Sequence, residues 1–295
     1  MNACSRWAAT AGLVLPLFLS GCLFTTRKLP VPRGPSVTQT ATGDQLVAQV
    51  NKRWDDLQSL NVRVQIQASV TKSKEGVARD YTSIRGIILM RKPELMRVLG
   101  LVPVIGTKAF DMASDGQNFT LVIPSKNIAY KGSNKLNKKS ANGLENMRPS
   151  LFFDAMAVRG IAADDGYTLT ADSDTVMDAQ KKHLLIIPEY ILSIIHPIPG
   201  SHESRTLRVL HFHREDLLPY QQDLYDDENN LETQVFYGRY ADYGDNKYPT
   251  TVTIKRVLED YQVVLSIEKV VENMPLSDDQ FQIKLPEGIK IQNLQ

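Results

Sequence analysis

The chain of 295 residues carries 34 Lys plus Arg against 33 Asp plus Glu, and is 42% hydrophobic and 7% aromatic. That is the makeup of a folded protein with a real core, neither disordered nor fibrous. A formal charge of +1 gives no global electrostatic basis for nucleic-acid binding, so no such partner is expected, and two cysteines confined to the first 22 residues cannot supply a disulfide framework.

The chain opens with a single positive charge, Arg6, and then an apolar run of twelve residues, 8–19. Such a run is too short to cross about 30 Å of hydrocarbon as a helix, and has the length of a signal-peptide core. Leu19, Ser20, Gly21 and Cys22 follow. A small residue before Cys, with Leu three places ahead, resembles the lipobox of bacterial lipoproteins. The resemblance implies loss of residues 1–21 and acylation of Cys22, which would tether an otherwise soluble domain to membrane lipid. Leu23 and Phe24 leave no Asp at the position that resembles an inner-membrane retention signal. The expected location is therefore the outer membrane, lipid-anchored, on the periplasmic side.

Residues 22–43, with Pro30, Pro32 and Pro35 and then Ser, Thr and Gly, read as a linker. Thr42 and Gln45 form a capping-box pattern, and Leu46, Val50, Trp54, Leu57 and Leu60 recur at helical spacing. Period-two alternation from Val62 to Val70 predicts a half-buried strand. Further strands are expected over 81–90, 95–99, 109–113 and 119–123, with a Ser-Asp-Gly-Gln turn between the last two. A second helix is predicted from Pro149, with Leu151, Phe152, Ala155, Met156 and Arg159 at helical spacing and Gly160 to end it. Beyond it, strands are expected over 167–171, 182–187, 205–212, 232–241, 250–258, 262–271 and 281–285. With no βαβ rhythm, the prediction is mainly β (α+β): one strongly curved antiparallel sheet with the helices packed on its concave face.

The chemistry visible in the sequence is sparse. All five histidines fall between 183 and 213, and His211 and His213 share one strand face, near Glu215. No recognisable ligand spacing accompanies them, so no metal and no cofactor are expected. Catalytic signatures such as H-E-x-x-H and G-x-S-x-G are missing, and the chain does not read as an enzyme. Residues 125–148 hold Lys126, Lys131, Lys135, Lys138, Lys139 and Arg148 against Glu145, a basic loop able to meet anionic headgroups if the protein sits at a bilayer. Residues 98–106, V-L-G-L-V-P-V-I-G, are apolar but interrupted by Gly100, Pro103 and Gly106. Such a segment either closes over a core or inserts into lipid.

Several stretches together resemble the bacterial lipoprotein-carrier superfamily, which includes the periplasmic carrier and the outer-membrane receptor. They are the opening helix with Trp54 and Leu57, G-I-I-L-M-R-K-P at 86–93, Leu95 and Arg97, the interrupted segment 99–105, and S-D-G at 114–116. Phe119, Pro124, Tyr130 and Phe152 follow, with N-M-P-L-S-D-D-Q-F-Q-I-K-L-P-E-G at 273–288. The resemblance implies a half-open barrel over 44–295, after a signal peptide at 1–21 and the lipidated linker at 22–43. It also implies an apolar cavity for a lipid, an acyl chain or lipoprotein cargo, with a role in lipoprotein sorting. Arg97 matches an arginine that bonds the family's closing helix, and 99–105 a protruding lipid-facing loop. On this basis Leu95, Leu99, Leu101, Val102, Val104, Phe119, Phe152 and Met156 are the expected cavity or loop residues. The alternative is a structural or interaction lipoprotein whose sheet is filled by its own side chains. The departure is size: receptor domains are shorter and do not account for the extra strands expected between about 160 and 270.

Overall fold

The computed structural model describes residues 31–35, 37–72, 77–134, 148–178, 180 and 182–294. The chain divides into two compact units. The smaller comprises 1–34 with 175–186, and the larger comprises 35–174 with 187–295. In the small unit Arg33 bridges Leu185 in parallel, its N–H donating to Leu184 O (2.8 Å) and its carbonyl accepting from Ile186 N (2.8 Å).

In the large unit the Thr42 hydroxyl accepts from Gln45 N (3.3 Å) while Gln45 Oε1 accepts from Thr42 N (2.8 Å). This reciprocal cap starts α1 (Gly43–Asp56), and Leu46 and Val50 are its buried stripe. The helix ends before the predicted stripe does: Leu57 is already extended and Leu60 lies on β1 (Ser59–Lys72). Next come β2 (Val77–Asp80), β3 (Ile84–Arg91), β4 (Leu95–Leu101), β5 (Lys108–Ser114), β6 (Asn118–Ile123) and β7 (Ile128–Ser133). Helix α2 (Pro149–Met156) starts at the predicted proline. The rest is β8 (Gly166–Met177), β9 (Leu184–Pro197), β10 (Ser204–His213), β11 (Pro219–Tyr225), β12 (Leu231–Tyr237), β13 (Tyr240–Tyr243), β14 (Asn246–Pro249), β15 (Thr251–Arg256), β16 (Tyr261–Glu272) and β17 (Lys290–Asn293).

Strands β13 and β14 form a separate hairpin; the others join one sheet in the order β17-β7-β6-β5-β4-β3-β1-β16-β15-β12-β11-β10-β9-β8, with β2 beside the end of β1. Cross-strand register makes one face continuous. A single row runs Leu192, Leu210, Gln222, Val235, Ile254 and Val263 across β9, β10, β11, β12, β15 and β16, and every member is buried. Another runs Met112, Val98, Ile88, Val62 and Val270. Both helices cover this face: Leu46 and Val50 pack with Leu192, Ile194, Leu210 and Phe212, while Phe152, Phe153 and Met156 pack with the β1, β3 and β4 rows. Each fully buried Val, Leu or Ile contributes roughly 1.5–3 kcal/mol, so the paired rows hold the helices to the sheet.

On the second face a strap over 273–289 crosses β3 to β6. Ser277 and Gln280 cap its short 3-10 turn, Asp278–Phe281, and Leu276 and Phe281 are buried beneath it. Arg91 donates to Leu276 O and to Asp278, and stacks over the Phe281 ring. This strap corrects the expected architecture. The segment 281–285 is no strand, and after Gly288 (φ 72) the chain returns along β7 in parallel, Lys290 opposite Ile128 through Asn293 opposite Lys131. A crossing connection delivers a parallel strand where a hairpin would deliver an antiparallel one. The sheet is therefore mixed and open. It ends at β8 and β17 with no pairing between them, and is neither a half-open barrel nor strongly curved as predicted.

Candidate functional site

The helix-covered face of the large unit carries a part-open, apolar cavity of about 470 Å³. One wall is α1 and its C-cap, through Val50, Trp54 and Leu57; a second is the end of α2 and the residues after it, Met156 to Val158; the third is Phe212, Leu218, Tyr237 and the β13–β14 hairpin. Gln49, Arg53, Asp216, Asp245 and Lys247 supply its polar lining. Small-molecule sites commonly have this size and this contrast of apolar wall and few polar groups.

The walls are held by side chains bonded to backbone. The carbonyls at the end of α2 have no partner in their own helix. Gln222 Nε2 donates to Asp154 O (2.9 Å), the Tyr248 hydroxyl to Met156 O, and Arg208 Nη2 to Gly160 O (2.7 Å). Asn51 brackets Ile161, accepting from its N–H at 2.6 Å and donating to its carbonyl at 3.2 Å. The hairpin is fixed likewise: Tyr240 Oη donates to Pro219 O (2.9 Å) and Tyr243 Oη to Ile267 O (3.2 Å). Burial pushes the Tyr240 and Tyr248 phenols well up, so both remain protonated donors. On α1, Trp54 meets Phe153 edge-on at 6.2 Å and carries Lys92 Nζ over its ring at 4.6 Å. Burial alone would lower the Arg53 pKa, but the bond and charge of Glu272 outweigh it and hold the guanidinium charged.

A second groove, about 660 Å³, lies on the opposite face beside the strap, lined by Leu95, Phe119, Asp278 and Phe281 among others. Next to it Asp111, 1% exposed, receives a fork from Arg97 (Nε to Oδ1 2.9 Å, Nη2 to Oδ2 2.8 Å) and a bond from Lys108 (2.8 Å). Burial would raise this carboxyl, yet Arg97 and Lys108 together hold it below its ordinary range. Arg97 also donates to Gln280 O (2.8 Å), so it fastens the strap on the face opposite the helices.

The expected site residues separate. Met156 lines the apolar cavity and Phe152 is buried in the core beside it, whereas Leu95 and Phe119 line the second groove. Leu99 and Leu101 are half-buried on β4. Val102 begins a turn whose tip is open: Val104 is 96% and Ile105 74% exposed, with φ of 69° at Val104 and 71° at Gly106. Cys22 and residues 135–147 of the basic loop lie outside the described residues. Arg148 is buried, stacked over Phe119 and donating to Ser133 O, so it faces inward and not toward headgroups. Sequence reasoning missed Val50, Tyr237, Tyr240 and Tyr248 as site residues. Four of the eleven tyrosines fall within residues 237–248, and that density was the available signal.

His211 on β10 links β9 and β11. His211 Nδ1 lies 3.0 Å from Glu189 Oε2 and Nε2 lies 3.7 Å from Asp223 Oδ2, with Tyr220 packed edge-on and His213 stacked on Tyr220. Among the described residues no three His, Cys, Asp or Glu side chains are arranged to hold a metal. Burial alone would lower the His211 pKa; Asp223 and Glu189 outweigh it and raise it. A raised folded pKa contributes stability that is full below the unfolded value of about 6.5 and lost as pH rises through the folded value. Urea unfolding between pH 6 and 9 is expected to show this decline, and His211→Asn to flatten it.

No family model matches the chain, and neither does the sequence of any curated protein. Solved structures do resemble it. A DUF1329 family protein from Desulfovibrio piger aligns with TM-score 0.51 and 17% identity, over 81% of this chain and 95% of that one. A LolA superfamily protein from Nitrosomonas europaea aligns with TM-score 0.51 and 14% identity, over 83% and 99%. The chain has a LolA-like fold. Identities this low speak for the fold alone.

Proposed function

We propose that the protein is a non-catalytic binding protein of the bacterial envelope, tethered by acylated Cys22 to the outer membrane on its periplasmic side. It holds an acyl chain, of a lipid or of lipoprotein cargo, in the cavity between α1, the segment after α2 and the β13–β14 hairpin. The carrying observation is the cavity itself: 470 Å³ behind Val50, Trp54, Leu57, Met156 and Phe212 is far more than a water site. A purely structural lipoprotein would have filled that space with its own side chains. The open turn with Val104 and Ile105 at its tip supports exchange with a bilayer, because isolated apolar tips of this exposure gain only by burial elsewhere. Lys126 and Lys131, both exposed, add short-range attraction to anionic headgroups.

The test uses protein with Cys22→Ser, so that binding does not depend on the tether. Liposome flotation is expected to fall roughly ten-fold in Val104→Glu/Ile105→Glu, since burying one such side chain contributes about 1.5–3 kcal/mol. Urea unfolding should shift by less than about 0.5 kcal/mol, as for other surface changes. A large loss of stability with unchanged flotation would remove the turn from the proposal.

A further inference from the structure

The buried row from Leu192 to Val263 has one polar member, Gln222, 1% exposed. On the same face Arg208 lies two positions from Leu210 on β10, and Tyr237 two positions from Val235 on β12; both are buried. Each is a diagonal neighbour of Gln222, on opposite sides of it, and at that spacing within reach of a long side chain. Each of the three is only partly used. Gln222 spends Nε2 on Asp154 O and Arg208 spends Nη2 on Gly160 O, but Gln222 Oε1, Arg208 Nε and Tyr237 Oη have no hydrogen-bond partner among the described residues. Buried polar atoms without partners are uncommon, and these three share one face of three adjacent strands. Tyr237, alone of the three, also lines the 470 Å³ cavity and so stands between that space and the other two.

The unused capacity is specific: one donor, one acceptor, and one hydroxyl that serves as either. Two acids already share the field of two guanidiniums: Arg159 pairs with Asp154 and Glu94, and Arg208, with no carboxylate at salt-bridge distance among the described residues, feels Asp154 at longer range. An anionic head would add a further acid beside buried Asp154, whose carboxyl is already raised by burial, and a bare alkyl end would leave all three atoms unpaired. We propose that Arg208, Gln222 and Tyr237 form a head-group pocket for a single-chain acyl lipid whose head is uncharged and carries hydroxyl or ester groups. The acyl chain lies along the apolar walls, so this assignment rests on the cavity reading above. The three atoms are sealed from solvent, and admission of the head requires the Tyr237 side chain to move.

Titration with 1-monopalmitoylglycerol and with palmitate compares two heads on one chain. The wild-type protein is expected to bind the glycerol ester roughly ten-fold more tightly, and Tyr237→Phe or Gln222→Leu to bring the two within about three-fold. Thermal unfolding of Tyr237→Phe should be unchanged or higher, because it removes an unpaired hydroxyl. Equal wild-type affinities, a preference that survives in Tyr237→Phe, or a lowered melting temperature from loss of a bond to internal water would each overturn the head-group pocket while leaving the cavity reading. Failure of the wild-type protein to bind either lipid would overturn both.

Discussion

Arg97→Ala is expected to lower the unfolding free energy by about 3 kcal/mol, the low end of the range for stranding a buried charge. Asp111 is 2% exposed at its side chain, and its two oxygens take a fork from Arg97; Lys108, half exposed, would remain as one contact. The depressed Asp111 pKa gives the pH sign. Stability from the pair is full above the unfolded carboxyl value of about 3.9 and is lost as pH falls through the lower folded value. Without Arg97 only Lys108 offsets burial, so the folded carboxyl value should rise and acid unfolding begin at a higher pH. Urea unfolding at pH 7 with an acid titration checks both, and Asp111→Asn added to Arg97→Ala should recover part of the loss. The strap loses the donor to Gln280 O at the same time, so limited proteolysis within 273–289 should accelerate.

Val158→Trp has the largest expected effect on binding. Val158 follows α2 and faces the cavity, where an indole occupies space that an acyl chain needs. Affinity for a fluorescent fatty-acyl probe is expected to fall at least about ten-fold, equivalent to about 1.4 kcal/mol. Overpacking costs about 1–3 kcal/mol in a close-packed core, but the open volume here should keep the stability change near or below about 1 kcal/mol. Leu95→Trp, in the groove on the other face, should leave probe binding unchanged.

What the sequence disclosed follows from how local each signal is. The caps at Thr42 and Pro149 and the alternation from Val62 to Val70 are encoded by neighbours, and the helices and β1 lie there. Strand β11 went unseen because Pro-Tyr-Gln-Gln-Asp carries no apolar alternation, and its inward residue is Gln222. The parallel edge at β17 depends on a strap crossing four strands, which no window of sequence reports, and so the sheet was wrongly expected to be antiparallel and curved. The cavity gathers residues 49–57, 156–158 and 237–249 from distant segments, and of the expected residues only Met156 is among them. The apolar segment 98–106 was legible only as an alternative between closing over a core and inserting into lipid; Val104 and Ile105 are exposed at its tip, while Leu99 and Leu101 are half-buried on β4.

Extraction of the folded, tether-free protein after purification from a bacterium, with mass spectrometry of the organic phase, tests the central claim most directly. The cavity reading predicts an acyl lipid near one per protein molecule from the wild type and its loss from Val158→Trp. A correctly folded wild-type protein that yields no acyl lipid and takes up none when it is supplied, or equal yields from both proteins, would contradict it.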